Sequence, residues 1–140
     1  MAIDHKMIID LLEGMVSRNP TKLSNVLAEE AVWHTPPSSI PAYAGPHRGL
    51  GAILNLVAGA GGDLFELGSQ RVEIEHIVAE GDIAAAQFRQ IATTKSGRNY
   101  NNLYSFFFRC KNGKIVEVWE NLDTGYFYGA FKMTPDWVSL

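Results

Sequence analysis

The sequence contains a single cysteine, Cys110, which excludes an internal disulfide and any metal site built from several thiolates. Lys and Arg never cluster, and the formal net charge is −3, so nothing is set up to neutralise a nucleic-acid phosphate backbone. No apolar run approaches the ~20 residues that span a bilayer. Charges among the first residues, MAIDHKMIID, break up the apolar segment that a signal peptide requires. The expectation is a soluble, cytoplasmic protein with neither a nucleic-acid nor a membrane partner. GAGGD at 59–63 lacks the Lys-Ser/Thr of a phosphate loop, no His pair has helical metal spacing, and no Ser-centred elbow occurs. No cofactor is expected. Repeats, low-complexity tracts and linkers are also missing, so residues 1–140 read as one domain.

What is present is the composition of a folded globule, 46% hydrophobic and 19% charged. Ile3, Met7, Ile8, Leu11, Leu12 and Met15 recur at helical spacing and predict an amphipathic helix over 2–17. RNPTKLSNVLAEE restarts a short helix, with Asn19 as N-cap and Pro20 at its first position. AVWHTPP reads as a short strand and SSIPAYAGPHR as a loop. GLGAILNLVAG predicts a third helix, apolar nearly all round and therefore buried. Beyond Phe65, three turn signals, Glu80-Gly81, Ser96-Gly97 and Asn112-Gly113, separate four strand-like runs. Helices followed by antiparallel hairpins define an α+β protein whose helices pack on one face of a curved sheet.

If each turn is a two-residue hairpin loop, counting fixes the register. Phe106 then opposes Trp119, Tyr104 opposes Asn121 and Asn102 opposes Asp123. On the next pair, Gln87 opposes Phe106 and Arg89 opposes Tyr104. On the first, His76 opposes Ala85 and Ile74 opposes Gln87. One face would carry Arg89, Asn102, Tyr104, Phe106, Trp119, Asn121 and Asp123, apolar at one end and polar at the other. Such a face suits a pocket that is mostly apolar with a few convergent polar groups. Asp123 would be a general base there, its carboxyl raised by desolvation, or else the cap of the segment TGYFYGAF. Arg89 needs a partner inside a sheet, and a structural Arg89–Asp123 pair is the alternative to a ligand contact. Tyr104 and Asn102 would donate to a substrate oxygen or stitch the sheet. Trp119, Phe106 and Trp33 serve as core, as ligand platform, or as both. His34 would shuttle a proton, orient a ligand carbonyl, or be structural. Tyr43 in the Pro-rich loop is a candidate lid residue.

The stretches AVWHTPP, YAGPHRGLGAI, VAEGDIAAAQF, SGRNYNN and KNGKIVEVWENLD resemble a SnoaL-like member of the nuclear-transport-factor-2-like superfamily. That superfamily includes ketosteroid isomerases, polyketide cyclases and limonene-type epoxide hydrolases, besides non-enzymatic members. The resemblance implies a cone, or cystatin-like α+β roll: a strongly curved antiparallel sheet wrapped on N-terminal helices around a cavity. It also implies a homodimer through the outer sheet face. The epoxide hydrolases use an Asp-Arg-Asp set. Arg89 matches its arginine, but Ile91 and Asn121 stand where its carboxylates belong, so that mechanism does not transfer. His34 matches that family's water-positioning asparagine. Asp123 resembles the base of SnoaL-like cyclases. The implied activity is binding of a small, mostly apolar, oxygen-bearing molecule, with cofactor-free isomerase or cyclase chemistry at Asp123, His34 and Arg89. A non-catalytic ligand-binding or interaction domain is the other reading.

Overall fold

A computed structural model describes residues 3–37 and 39–133 of the chain. The expected start of the first helix at residue 2, and Ser38 in the loop, lie outside these.

Helix α1 spans His5–Ser17, opened by the Asp4 carboxylate accepting from Met7 N at 2.9 Å. Its buried stripe is Ile8, Leu11 and Leu12. Gly14 lets the next helix approach, since a Cβ there would stand 3.1 Å from Leu23. Helix α2, Pro20–Val26, starts as expected: Asn19 accepts from Lys22 N at 3.1 Å and Pro20 follows it. Strand β1, Leu27–Thr35, leaves α2 without a linker, and β2, Gly45–Arg48, pairs back on it antiparallel. The sequence reads β2 as loop because it is short and carries Pro46, which an edge strand tolerates. Helix α3, Leu50–Leu64, buries Ile53, Val57, Gly61 and Leu64 along one stripe only. Its small residues Gly51, Ala58 and Gly59 face solvent, so it is not buried all round.

Strands β3 (Arg71–Glu80), β4 (Ile83–Thr93), β5 (Asn99–Lys111) and β6 (Lys114–Leu122) form the antiparallel run, followed by α4, Thr124–Ala130. The sheet order is β2-β1-β6-β5-β4-β3. Strand β1 joins β6 in parallel, so the sheet is mixed. The α+β architecture with a curved sheet over helices is as the sequence implies. Its core is aromatic: Phe106 meets Trp33 edge-on at 5.6 Å and Phe88 at 5.0 Å, all three nearly solvent-free.

The register departs from counting at every hairpin. Asn112-Gly113 is the two-residue loop expected, with both residues at positive φ (53° and 76°) and Lys111 opposite Lys114. A bulge then intervenes: Cys110 opposes Ile115 while Arg109 opposes Glu117, leaving Val116 as the extra residue. Beyond it Phe107 opposes Trp119, Phe106 opposes Glu120 and Tyr104 opposes Leu122. The β4–β5 connection is longer than two residues, running 94–98, and is closed by Thr94 N donating to Arg98 O at 2.9 Å. Gln87 therefore opposes Ser105, and Arg89 opposes Leu103. The first hairpin turns at Gly81-Asp82, and a second irregularity between Ile74 and His76 puts Ile74 opposite Phe88 and His76 opposite Gln87. Each one-residue slip reverses a strand's faces. The inner face is Ala84, Ala86, Phe88, Gln90 and Ala92 on β4, Tyr100 through Cys110 alternately on β5, and Val118, Glu120 and Leu122 on β6. Strand β5 faces as counted, and so does the start of β3, where Val72 opposes Gln90 and Ile74 opposes Phe88; β4, β6 and the rest of β3 are reversed.

Candidate functional site

The reversal of β6 replaces one carboxylate by another. Asp123 is exposed and caps α4, its Oδ1 accepting from Tyr126 N at 3.0 Å. It does not border the cavity. Arg89 lies on the outer face, 3.4 Å from Glu75 and 3.3 Å from Asn101, so no Arg89–Asp123 pair exists. Ile91 and Asn121 share that outer side, since their neighbours Gln90, Glu120 and Leu122 take the inner one. Trp119 stacks on His34 with centroids 5.6 Å apart and planes 7° from parallel, and the Arg109 guanidinium stands 5.9 Å from its indole. His34 Nε2 also meets Glu117 Oε2 at 2.7 Å. His34, Arg89, Trp119 and Asn121 are thus placed outside the cone, not within it.

The cavity lies between the inner sheet face and α3. Its volume is about 90 Å³, and it opens to solvent. Leu56, Val57, Leu64, Phe65 and Leu122 make it mostly apolar. Of the sequence candidates, Trp33, Tyr104 and Tyr43 border it, whereas Phe106 lies behind them in the core. Tyr43 reaches across the mouth from the β1–β2 loop, donating from its hydroxyl to Asp63 Oδ2 at 2.6 Å. Burial and that carboxylate push its phenol up to about 12. Asn102 is buried and committed to structure: its Nδ2 donates to Tyr100 Oη at 2.9 Å and to the Asp123 carbonyl at 3.1 Å. The Tyr100 and Tyr104 hydroxyls share a 2.7 Å bond, and desolvation holds both phenols above their usual range.

Five polar residues on the cavity wall do not stand out in the sequence: Glu120, Thr35, Ser39, Gln70 and Gln90. Glu120 sits between Val118 and Leu122 on the inner face and accepts from Trp33 Nε1 at 2.9 Å. Desolvation raises its carboxyl to about 7, against the smaller opposing pull of the Trp33 hydrogen bond. The residue is only partly shielded because it fronts an open cavity, but the carboxyl's surroundings are apolar. Thr35 is 6% exposed, and its hydroxyl has no hydrogen-bond partner among the described residues. A buried orphan hydroxyl is costly unless something satisfies it, and Thr35 is one of the residues that line the cavity. The signal for Glu120 lies in the alternation itself: a carboxylate on a face otherwise made of Val118 and Leu122. Among the described residues, no cluster of three or more His, Cys, Asp or Glu could hold a metal ion, and no helix is long and apolar enough to cross a membrane.

A curved sheet closed by helices over a mostly apolar interior is the nuclear-transport-factor-2-like fold. Solved structures agree on that fold. A nuclear-transport-factor-2-like protein of unknown function from Burkholderia pseudomallei superposes with a TM-score of 0.79 at 16% identity, covering 89% of this chain and 94% of that one. IdmH, a candidate polyketide cyclase from Streptomyces antibioticus, has a TM-score of 0.74 at 20% identity, covering 91% and 97%. A protein with a ketosteroid isomerase-like fold from Catenulispora acidiphila, crystallised with trimethylamine, has a TM-score of 0.77 at 12% identity, covering 96% and 98%. A search of curated proteins finds no match. The chain belongs to the SnoaL-like domain family, whose profile matches residues 8–118.

Proposed function

We propose that the cavity takes a small, mostly apolar molecule bearing a carbonyl oxygen, and that Glu120 moves a proton on it without a cofactor. The observation that carries this is a carboxyl raised to about 7 in an apolar cavity, since a general base works best when its pKa lies near the operating pH. Glu120 as carboxylate removes a proton from the carbon next to the carbonyl. The C–H pair becomes a C=C bond, the carbonyl pair moves onto oxygen, and the proton resides on Glu120 until it is returned to carbon. Isomerisation results if it returns to a different carbon of a conjugated enolate; in ring closure the enolate carbon instead attacks a second carbonyl, whose C=O pair moves onto its oxygen, and that oxygen takes the proton from Glu120. Thr35 offers a hydroxyl to anchor such a ligand. Names among the structural neighbours, a candidate polyketide cyclase and a ketosteroid isomerase-like fold, favour carbonyl chemistry of this type.

The test is deuterium exchange at the α-carbons of cyclohexanone in D2O, followed by proton NMR. Exchange should rise with pH through about 7 as the base form fills, and fall at least 100-fold in Glu120→Gln. Asp123→Asn, which keeps a good cap, should exchange like the parent. Equal rates in the parent and Glu120→Gln across pH 5–9 would refute the assignment. A second reading, a non-catalytic binding or interaction domain with a largely filled interior, is favoured by the inner room of about 90 Å³, which is below the roughly 300–1,000 Å³ of most ligand pockets. Binding of cyclohexanone with no exchange would select it.

We also propose a homodimer through the outer sheet face. Phe107 (49% exposed) and Val78 (64% exposed) form an apolar patch there. It is flanked by Arg89 and Arg109 as well as Glu75 and Asp82, so a two-fold copy can oppose unlike charges. Sedimentation should give a dimer for the parent and a monomer for Phe107→Glu; a monomeric parent at 100 μM, taken as roughly a weak-binding ceiling, removes the proposal.

A further inference from the structure

Gln70 immediately precedes β3 and borders the cavity. Arg18, the left-handed residue that ends α1, donates from both Nε and Nη2 to Gln70 Oε1, at 3.1 and 2.9 Å. Its Nη2 also donates to the Phe65 carbonyl at 3.2 Å. The two ends of a glutamine amide are usually interchangeable on geometric grounds. Here they are not, because a guanidinium has only donors and must face the carbonyl oxygen. The Gln70 NH2 is therefore the other branch. It has no acceptor among the described residues, and it belongs to a side chain that fronts the cavity while Arg18 does not. A third element holds the arrangement: a Cβ on Gly61 would stand 2.6 Å from Arg18 Nε, so the guanidinium lies against bare α3 backbone. The end of α1, helix α3 and the entry to β3 all converge on one amide orientation.

We propose that Gln70 is the oxyanion donor of this cavity, oriented and polarised by Arg18, and that it receives the carbonyl oxygen of a neutral ketone or enone. The proposal deepens the reading of Glu120 as base and rests on it for the chemical step. When Glu120 takes the α-proton, the charge that builds on the carbonyl oxygen is met by the Gln70 N–H groups. The fixed positive charge behind the amide makes those N–H groups stronger donors, and no reorganisation is needed as the charge forms. Arg18 is a positioning residue and touches no substrate.

The experiment uses the full chain and cyclohexanone carrying 13C at the carbonyl. Two quantities are read on each variant: the carbonyl 13C shift of the bound ketone, and α-deuterium exchange in D2O. In the parent the bound carbonyl should move downfield, as a hydrogen-bonded ketone does. Gln70→Glu keeps the Arg18 contact through one oxygen and turns an acceptor to the cavity, so the shift should vanish and exchange should fall about 100-fold. Arg18→Lys should reduce the shift and lower exchange about 10-fold through kcat rather than KM, because it releases the amide without removing it. Glu120→Gln should keep the shift and lose the exchange. A shift unchanged in Gln70→Glu overturns the proposal while leaving the base assignment standing. Exchange surviving in Glu120→Gln, with a shift that still depends on Gln70, overturns the base and keeps the donor. A parent protein that leaves saturating cyclohexanone unshifted overturns the donor as well.

Discussion

Replacing Glu120 with Gln should make the protein more stable at pH 8 and leave it no more stable, relative to the parent, at pH 4. The folded carboxyl titrates at about 7 and the unfolded one at 4.5. Between those values the native state holds a proton that the unfolded chain has released, so raising the pH favours unfolding. The stabilising contribution is complete below 4.5, is lost progressively as pH rises to about 7, and is absent above that. Gln has no proton to lose and still accepts from Trp33 Nε1. The difference between the variants should therefore open with pH to at most ~3.5 kcal/mol, less where solvent in the cavity screens the carboxylate, since each tenfold difference in proton affinity between the folded and unfolded chains corresponds to about 1.4 kcal/mol. Urea unfolding at pH 4, 6 and 8 measures it, and the subtraction cancels every group common to both proteins. Parallel stability curves would show that the carboxyl is well solvated, and the catalytic proposal would lose its base.

Phe106→Ala should cost about 3–5 kcal/mol. Phe106 is fully buried and meets Trp33, Phe88, Tyr104 and Phe108 with centroids between 5.0 and 6.2 Å. It also stands opposite Glu120 in the β5–β6 ladder. The void left by its ring lies between Trp33, which holds the carboxyl, and the strand that carries it, so this variant should lose the Glu120 position as well as stability. Denaturant unfolding at a single pH checks the first effect. A cost below about 1 kcal/mol would mean that the aromatic cluster collapses to fill the gap.

The helices and all strands but the short edge strand β2 were legible because their signals are local. Asn19-Pro20 announces α2, the Ile8-Leu11-Leu12 stripe announces α1, and Asn112-Gly113 gives a hairpin with the expected loop. The site was not legible, because which residue faces inward accumulates from every turn and bulge before it. Val116 is a β-branched residue in an alternating run, so nothing in the sequence distinguishes it from an ordinary strand position. Ser96-Gly97 looks like a tight turn, yet Thr94 closes a longer connection whose Oγ1 accepts from Arg98 N at 3.0 Å. Tyr104, Trp33 and Tyr43 were found at the cavity because β5 kept its phase and because β1 places Trp33 and Thr35 on the same side. Gln70 and Arg18 carry no pattern in one dimension. Their relation exists only once the end of α1 meets the start of β3. The parallel pairing of β1 with β6 is likewise non-local.

The single extra residue in β6 works as a two-position selector. With Val116 in place the interior chemistry is that of a dry carboxyl beside an indole N–H. Shorten the strand by that one residue and the interior would instead meet an indole and a carboxamide, with the acid rinsed by solvent. In this chain one inserted residue therefore decides which of two sets of side chains, Val118-Glu120-Leu122 or Trp119-Asn121, the strand turns inward.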